Sequence, residues 1–148
     1  MTLTNSLVNV GLRNTDLWVV AMSEKYNLTP VELELMEILW KIGQGTVRDV
    51  MAHLPAKRNL AYTSVSTILR ILEQKKILIT EKLGRQHIYL PTLSKQVFAS
   101  YSVKKIVNQI FSGSSVELVA YLMDKNNLSS DEIAVIQKML DAKKKEIA

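Results

Sequence analysis

The sequence predicts a mainly α fold with a small β-hairpin, and three observations carry that prediction. From Leu28 onward, apolar residues recur at helical spacing through most of the chain. At Thr29–Glu32, Thr46–Asp49, Ser114–Glu117 and Ser129–Glu132 a short hydroxyl is followed three residues later by an acid, the pattern of a helix N-terminal capping box. Only between Ile77 and Leu90 does the pattern become β-branched and strand-like, with a glycine turn in the middle.

Bulk composition narrows the functional classes. With 148 residues and 47% hydrophobic content the chain can bury a core, and wholesale disorder is not expected. The formal charge of +5 favours a polyanionic partner. Between Gly43 and His87 stand Arg48, Lys57, Arg58, Arg70, Lys75, Lys76, Lys82 and Arg85, opposed only by Asp49, Glu73 and Glu81. The absence of cysteine excludes disulfides, thiolate metal sites and a cysteine nucleophile, and it suits a reducing, cytoplasmic setting. No cofactor or metal motif is legible. Leu17–Met22 is the longest apolar candidate near the start, far short of a membrane span, and a signal peptide would need a basic start and a longer apolar region.

Residues 1–25 form an N-terminal extension with no clear period. Two readings stand: Leu7–Val20 is an accessory packing segment anchored by Trp18, or Met22 is the true start. At Leu28 the signals sharpen. Thr29 caps, Pro30 takes the first helical position, Glu32 completes the box, and Leu28 and Leu33 are placed as a hydrophobic staple. The helix that follows turns Leu35, Met36, Leu39 and Ile42 inward and stops at Gly43; Trp40 belongs to the core or its rim. A second helix starts after Thr46, presents Val50, Met51 and Leu54, and is expected to end at Leu54–Pro55.

The third helix spans Leu60–Lys75. At about 100° per residue, Val65, Ile68, Leu69 and Leu72 fall in one apolar stripe, with Thr63, Thr67, Arg70 and Gln74 opposite. That outer face carries hydroxyls, a guanidinium and an amide but no acid. Such groups bond base edges and phosphates, whereas an ordinary solvated face mixes Glu with Lys. The strand-like runs Ile77–Lys82 and Gln86–Leu90 flank Leu83-Gly84-Arg85, and the tip presents Lys82 and Arg85 for phosphate or minor-groove contact. Three helices followed by a basic hairpin make a winged helix-turn-helix, assigned to residues 26–92.

Residues 93–148 are read as a helical dimerisation domain. Pro91 breaks the strand, Ser94 caps a helix over Lys95–Phe111, Gly113 ends it, and two shorter capped helices follow. These helices are too apolar to stand as an isolated bundle. They are expected to pair with a second copy, burying Val103, Ile106, Val107, Ile110, Phe111, Leu118, Leu122, Ile133, Ile136 and Leu140. Lys143–Lys145 are read as a solvated tail. His53 and His87, the only histidines, sit in no metal or triad motif, so no enzyme is predicted.

From Leu28 to the C-terminus the chain resembles the penicillinase-repressor (BlaI, MecI and CopY) family of winged-helix transcriptional regulators. The matching blocks are LTPVELELMEILW at 28–40, TVRDV at 46–50, LAYTSVSTILRILEQK at 60–75 and EKLGRQHIYLP at 81–91. The resemblance implies a homodimeric repressor on a dyad-symmetric double-stranded DNA operator. It adds Tyr62 and Ser64 to Thr63 and Thr67 as residues facing DNA, with Arg70 and Arg85 at the backbone. Departures limit the carry-over. Lys76 stands where the family usually has a glycine; the paired cysteines of copper-responsive members are absent; and Ala120-Tyr121 occupies the position where a membrane sensor-protease cleaves the β-lactam-responsive members between Asn and Phe. Cleavage by that partner is therefore not expected. The alternative is a winged-helix adaptor binding protein or RNA rather than operator DNA.

Overall fold

The computed structural model of the chain describes residues 26–124 and 127–148. The expectations for Leu7–Val20, Trp18 and Met22 lie outside them. In chain order the elements are α1 (Pro30–Ile42), α2 (Val47–Ala52), α3 (Tyr62–Gln74), β1 (Leu78–Leu83), β2 (Gln86–Pro91), α4 (Lys95–Ile110), α5 (Ser115–Met123) and α6 (Ser130–Ile147). The fold is therefore mainly α with one antiparallel hairpin. It divides into two compact units, one ending at Lys105 and the other spanning Ile106–Ala148.

Helix α1 begins as its sequence dictates. Thr29 Oγ1 accepts from the Glu32 N–H at 3.2 Å while Glu32 Oε2 accepts from the Thr29 N–H at 3.1 Å, so two otherwise orphaned donors are satisfied. Gly43, at φ 87°, ends the helix and donates to the Leu39 carbonyl. Thr46 and Asp49 form the second capping box at the start of α2. That helix closes at Ala52, two residues sooner than expected. Pro55 explains the shortening, because the residue before a proline is pushed away from helical geometry.

The core of the first unit is assembled from one face of each helix. Leu35, Met36 and Leu39 of α1, Val50 of α2, and Val65, Leu69 and Leu72 of α3 are fully buried, as are Ile77 and, within a per cent, Leu78 beside them. Each such side chain contributes about 1.5–3 kcal/mol by leaving water. Trp40 packs on this core, donating from Nε1 to the Leu93 carbonyl at 2.7 Å and meeting the Phe98 ring at 5.5 Å. Its structural role is thus met by one hydrogen bond and one ring.

Helix α3 closes on a left-handed residue without being a glycine. Lys76 has φ 62°, the Ile77 N–H donates to the Leu72 carbonyl at 3.0 Å, and the Lys76 N–H donates to Glu73 at 2.9 Å. This is the Schellman pattern with lysine at the position glycine favours. The hairpin follows at once, in register from Leu78 opposite Pro91 to Leu83 opposite Gln86. Pro91 is the last strand residue rather than the break after it, as an edge position permits. Gly84, at φ 60°, takes the first position of the two-residue turn, where a type II′ turn needs a positive φ. A single bridge pins the hairpin to the α1–α2 loop: Gly45 and Tyr89 exchange backbone hydrogen bonds of 3.1 and 2.8 Å.

In the second unit, Ser114 caps α5 by accepting from the Glu117 N–H, and Ser129 and Glu132 form a full capping box on α6. The Phe111 and Tyr121 rings lie 5.7 Å apart. Neither α5 nor α6 holds a buried residue. No helix among the described residues is long and apolar enough to cross a membrane.

Candidate nucleic-acid interface

The third helix is amphipathic in the predicted sense. Val65, Leu69 and Leu72 face the core with Ile68 half-buried, which leaves the opposite face outward. All eight residues expected to contact DNA are exposed: Tyr62, Thr63, Ser64, Thr67, Arg70 and Gln74 on α3, and Lys82 and Arg85 on the hairpin. The Thr67 hydroxyl donates to the Thr63 carbonyl at 2.8 Å. Its proton is therefore committed to the helix, and the side chain offers outward a lone pair and a methyl group.

The structure brings three of these residues together. Tyr62, Arg70 and Arg85 line one concavity of about 160 Å³, joined by Arg48, Ser66 and His87. Thr63, Ser64, Thr67, Gln74 and Lys82 lie outside that lining. Arg48 and Ser66 were not foreseen. Ser66 could have been found, since it sits four residues from both Tyr62 and Arg70 and shares their face. Arg48 could not, because it comes from α2; its guanidinium carbon lies 5.7 Å from the Tyr62 ring centre, a cation–π contact across elements.

Charge is distributed by tertiary contacts rather than by sequence neighbourhood. Arg58 pairs with Glu34 at 3.0 Å and Lys75 with Glu32 at 2.8 Å. Neither is then a free cation of the basic region. Among the described residues, no ion pair engages Arg48, Arg70, Lys82 or Arg85. Two of the three acids of the region are engaged elsewhere. Asp49 faces its own cap, where hydrogen bonds from Thr46 hold its carboxyl below the usual value, and Glu73 accepts from the Thr80 hydroxyl at 2.8 Å. Burial, and then the Glu73 charge, pushes the Tyr89 phenol up, with Arg70 pulling the other way.

A larger concavity of about 590 Å³ lies elsewhere on α1 and includes Glu34, Glu37, Trp40, His53 and Lys95. Its two carboxylates offset Lys41 and Lys95, so it offers a polyanion no net positive surface. Among the described residues, no group of three or more His, Asp or Glu is arranged to hold a metal ion.

Of the ten residues expected at a dimer interface, Val103, Ile106, Ile110, Leu122, Ile133 and Leu140 are exposed. Phe111, Leu118 and Ile136 are half-buried, and Val107 is already covered within its own chain.

Comparison with known proteins places these features in context. A family model described as penicillinase repressor matches residues 28–142. An uncharacterized 16.5 kDa protein from the ptsI 3′ region of Latilactobacillus sakei is 30% identical over 123 residues, covering 82% of this chain and 84% of that protein. The penicillinase repressor of Bacillus licheniformis is 23% identical over 79% of this chain and 91% of its own length. The transcriptional regulator BlaI of Mycobacterium tuberculosis is 28% identical over 80% of this chain and 86% of its own.

Proposed function

The chain belongs to the penicillinase repressor family, and from that premise we propose that it is a transcriptional repressor acting as a homodimer on a dyad-symmetric DNA operator. The observation that carries this reading is the acid-free outer face of α3 set beside the hairpin, with Arg70 and Arg85 meeting in one concavity. In this reading α3 enters the major groove, Thr63, Ser64, Thr67 and Gln74 meet base edges, and the hairpin is the wing that carries Lys82 and Arg85 to the backbone. Repression is steric: a dimer lying across a promoter excludes polymerase.

The reading assigns residues 26–92 to DNA binding and 93–148 to dimerisation. Its support in the second unit is the scarcity of internal burial, Val107 being the one buried apolar side chain among the described residues there. Ile110, Val116, Leu122, Met139 and Leu140 are all exposed, and so many exposed large apolar side chains in one short unit favour a protein–protein surface. A second copy supplies the self-complementary face that two-fold pairing requires.

Footprinting with the full chain tests the proposal. Two protected half-sites are expected, their centres separated by about 10 bp or a multiple of it. Affinity for duplex DNA falls steeply with salt, because Lys and Arg release counterions from the phosphates they neutralise. A single asymmetric footprint, or binding indifferent to salt, overturns it.

A further inference from the structure

We infer that Arg48, a residue outside the recognition helix and the wing, closes a three-arginine clamp on one phosphate of the DNA backbone. The inference rests on the operator-binding reading above and deepens it.

Three guanidinium side chains line a single concavity of about 160 Å³, each delivered by a different element: Arg48 from α2, Arg70 from α3 and Arg85 from the β1–β2 turn. Like charges brought together repel, and Glu73, the acid whose charge reaches Tyr89 in the lining, is engaged by the Thr80 hydroxyl rather than by an arginine. No carboxylate lines the concavity, and none of the three arginines forms an ion pair among the described residues. The nearest acid in sequence, Asp49, is held at the Thr46 cap. The remaining lining adds the Ser66 hydroxyl and the His87 ring, both able to donate. A site with three guanidinium groups and no carboxylate in its lining is complementary to an anion. The planar guanidinium fork matches the oxygens of a phosphate in particular.

Arg48 is the member already held by a contact of its own, its guanidinium carbon lying 5.7 Å from the Tyr62 ring centre. Pre-setting a long side chain lowers the entropy lost when it binds. The phosphate group could come from a free anion or from DNA. DNA is favoured because Tyr62, Arg70 and Arg85 border the same exposed helix face that the operator would cover. Arg48 is thus a positioning residue, setting the register of α3 in the groove without reading a base.

The test compares wild type, Arg48→Ala and Arg48→Lys for binding to operator and to random duplex DNA across a salt series. Arg48 is exposed, so the variants are expected to keep the wild-type unfolding midpoint. Arg48→Ala is expected to weaken binding to both duplexes by the same factor, at least about tenfold, and to reduce the magnitude of the slope of log affinity against log salt by about one per protomer, hence about two for the bound dimer. Arg48→Lys is expected to restore the slope, because the charge returns, while regaining only part of the affinity. Unchanged affinity and slope in Arg48→Ala, with wild type still binding, overturn the clamp alone; a wild type that binds no duplex overturns the operator reading and the clamp with it. Competition at equal ionic strength separates the two phosphate sources. Equal displacement by inorganic phosphate and chloride supports the DNA backbone, whereas stronger displacement by phosphate that disappears in Arg48→Ala reassigns the pocket to a free anion and overturns the inference.

Discussion

Lys75 Nζ stands 3.0 Å from one carboxylate oxygen of Glu32 and 2.8 Å from the other, and so ties the end of α3 to the beginning of α1. The same Glu32 closes the capping box of α1, and the same ammonium donates to the Asn27 carbonyl at 3.3 Å. One carboxylate, only 5% exposed as a residue, therefore fixes both the entry of the first helix and the orientation of the third.

Removing either partner leaves the other charged group without its counter-charge, Glu32 in a buried place and Lys75 in a half-buried one. Lys75→Met and Glu32→Gln are each expected to lower unfolding free energy by about 1–3 kcal/mol, since a half-broken sheltered pair costs more than an exposed one. The exposed Arg58–Glu34 pair is the control: Arg58→Ala is expected to cost under about 1 kcal/mol. Urea titration distinguishes them. Equal losses from the two pairs would contradict the special role of Glu32.

Lys76 carries a left-handed backbone, φ 62°, that glycine adopts without steric penalty. Lys76→Gly is expected to raise stability by up to about 1 kcal/mol, and Lys76→Val to lower it by more than that. Thermal unfolding of the two variants gives opposite shifts if the helix end is as described.

The proposed division of labour between the two units separates in two variants. Arg70→Ala is expected to weaken duplex DNA binding at least about tenfold while sedimentation still gives a dimer. Ile110→Asp places a carboxylate on the exposed face of α4 and is expected to break the dimer, lowering operator affinity as a consequence. An Ile110→Asp chain that sediments as a dimer puts the interface elsewhere.

The capping carboxylates predict an acid limb of stability. Asp49 and Glu132 are held below their ordinary values of 3.8 and 4.5 by hydrogen bonds from Thr46 and Ser129. A depressed carboxyl stabilises the fold above its unfolded pKa, and this contribution is lost as pH falls through the folded value. Stability is thus expected to decline below about pH 4, and Thr46→Val, which removes the hydroxyl but keeps the backbone N–H, should flatten part of the Asp49 share of that decline. Carbon-detected NMR titration of Asp49 in the variant should move its midpoint part of the way back up; no movement would mean that the Thr46 backbone N–H alone holds the carboxyl down.

How much was legible depended on the range of each interaction. Thr29, Thr46 and Ser129 cap helices three residues away, and Gly84 shapes a two-residue turn, so local spacing was enough. The buried stripe Val65, Leu69 and Leu72 followed from the helical period alone. The end of α2 at Ala52 is less legible, because Leu54 continues the apolar period while Pro55 disfavours helical geometry at the residue before it.

By itself, the order of residues determined which segments are helical, where most begin, and that α3 has one apolar face and one face without acids. Each of these is a property of neighbours within a few positions, where backbone geometry leaves little choice. The tertiary structure decided which charges remain available. Lys75 and Arg58 looked like part of a basic region until α1 brought Glu32 and Glu34 within 3.0 Å of them. Arg48 looked like one more cation on a short helix until packing set it over Tyr62 and beside Arg70 and Arg85. Pairing and convergence of charges depend on distances across the fold, which no local period encodes.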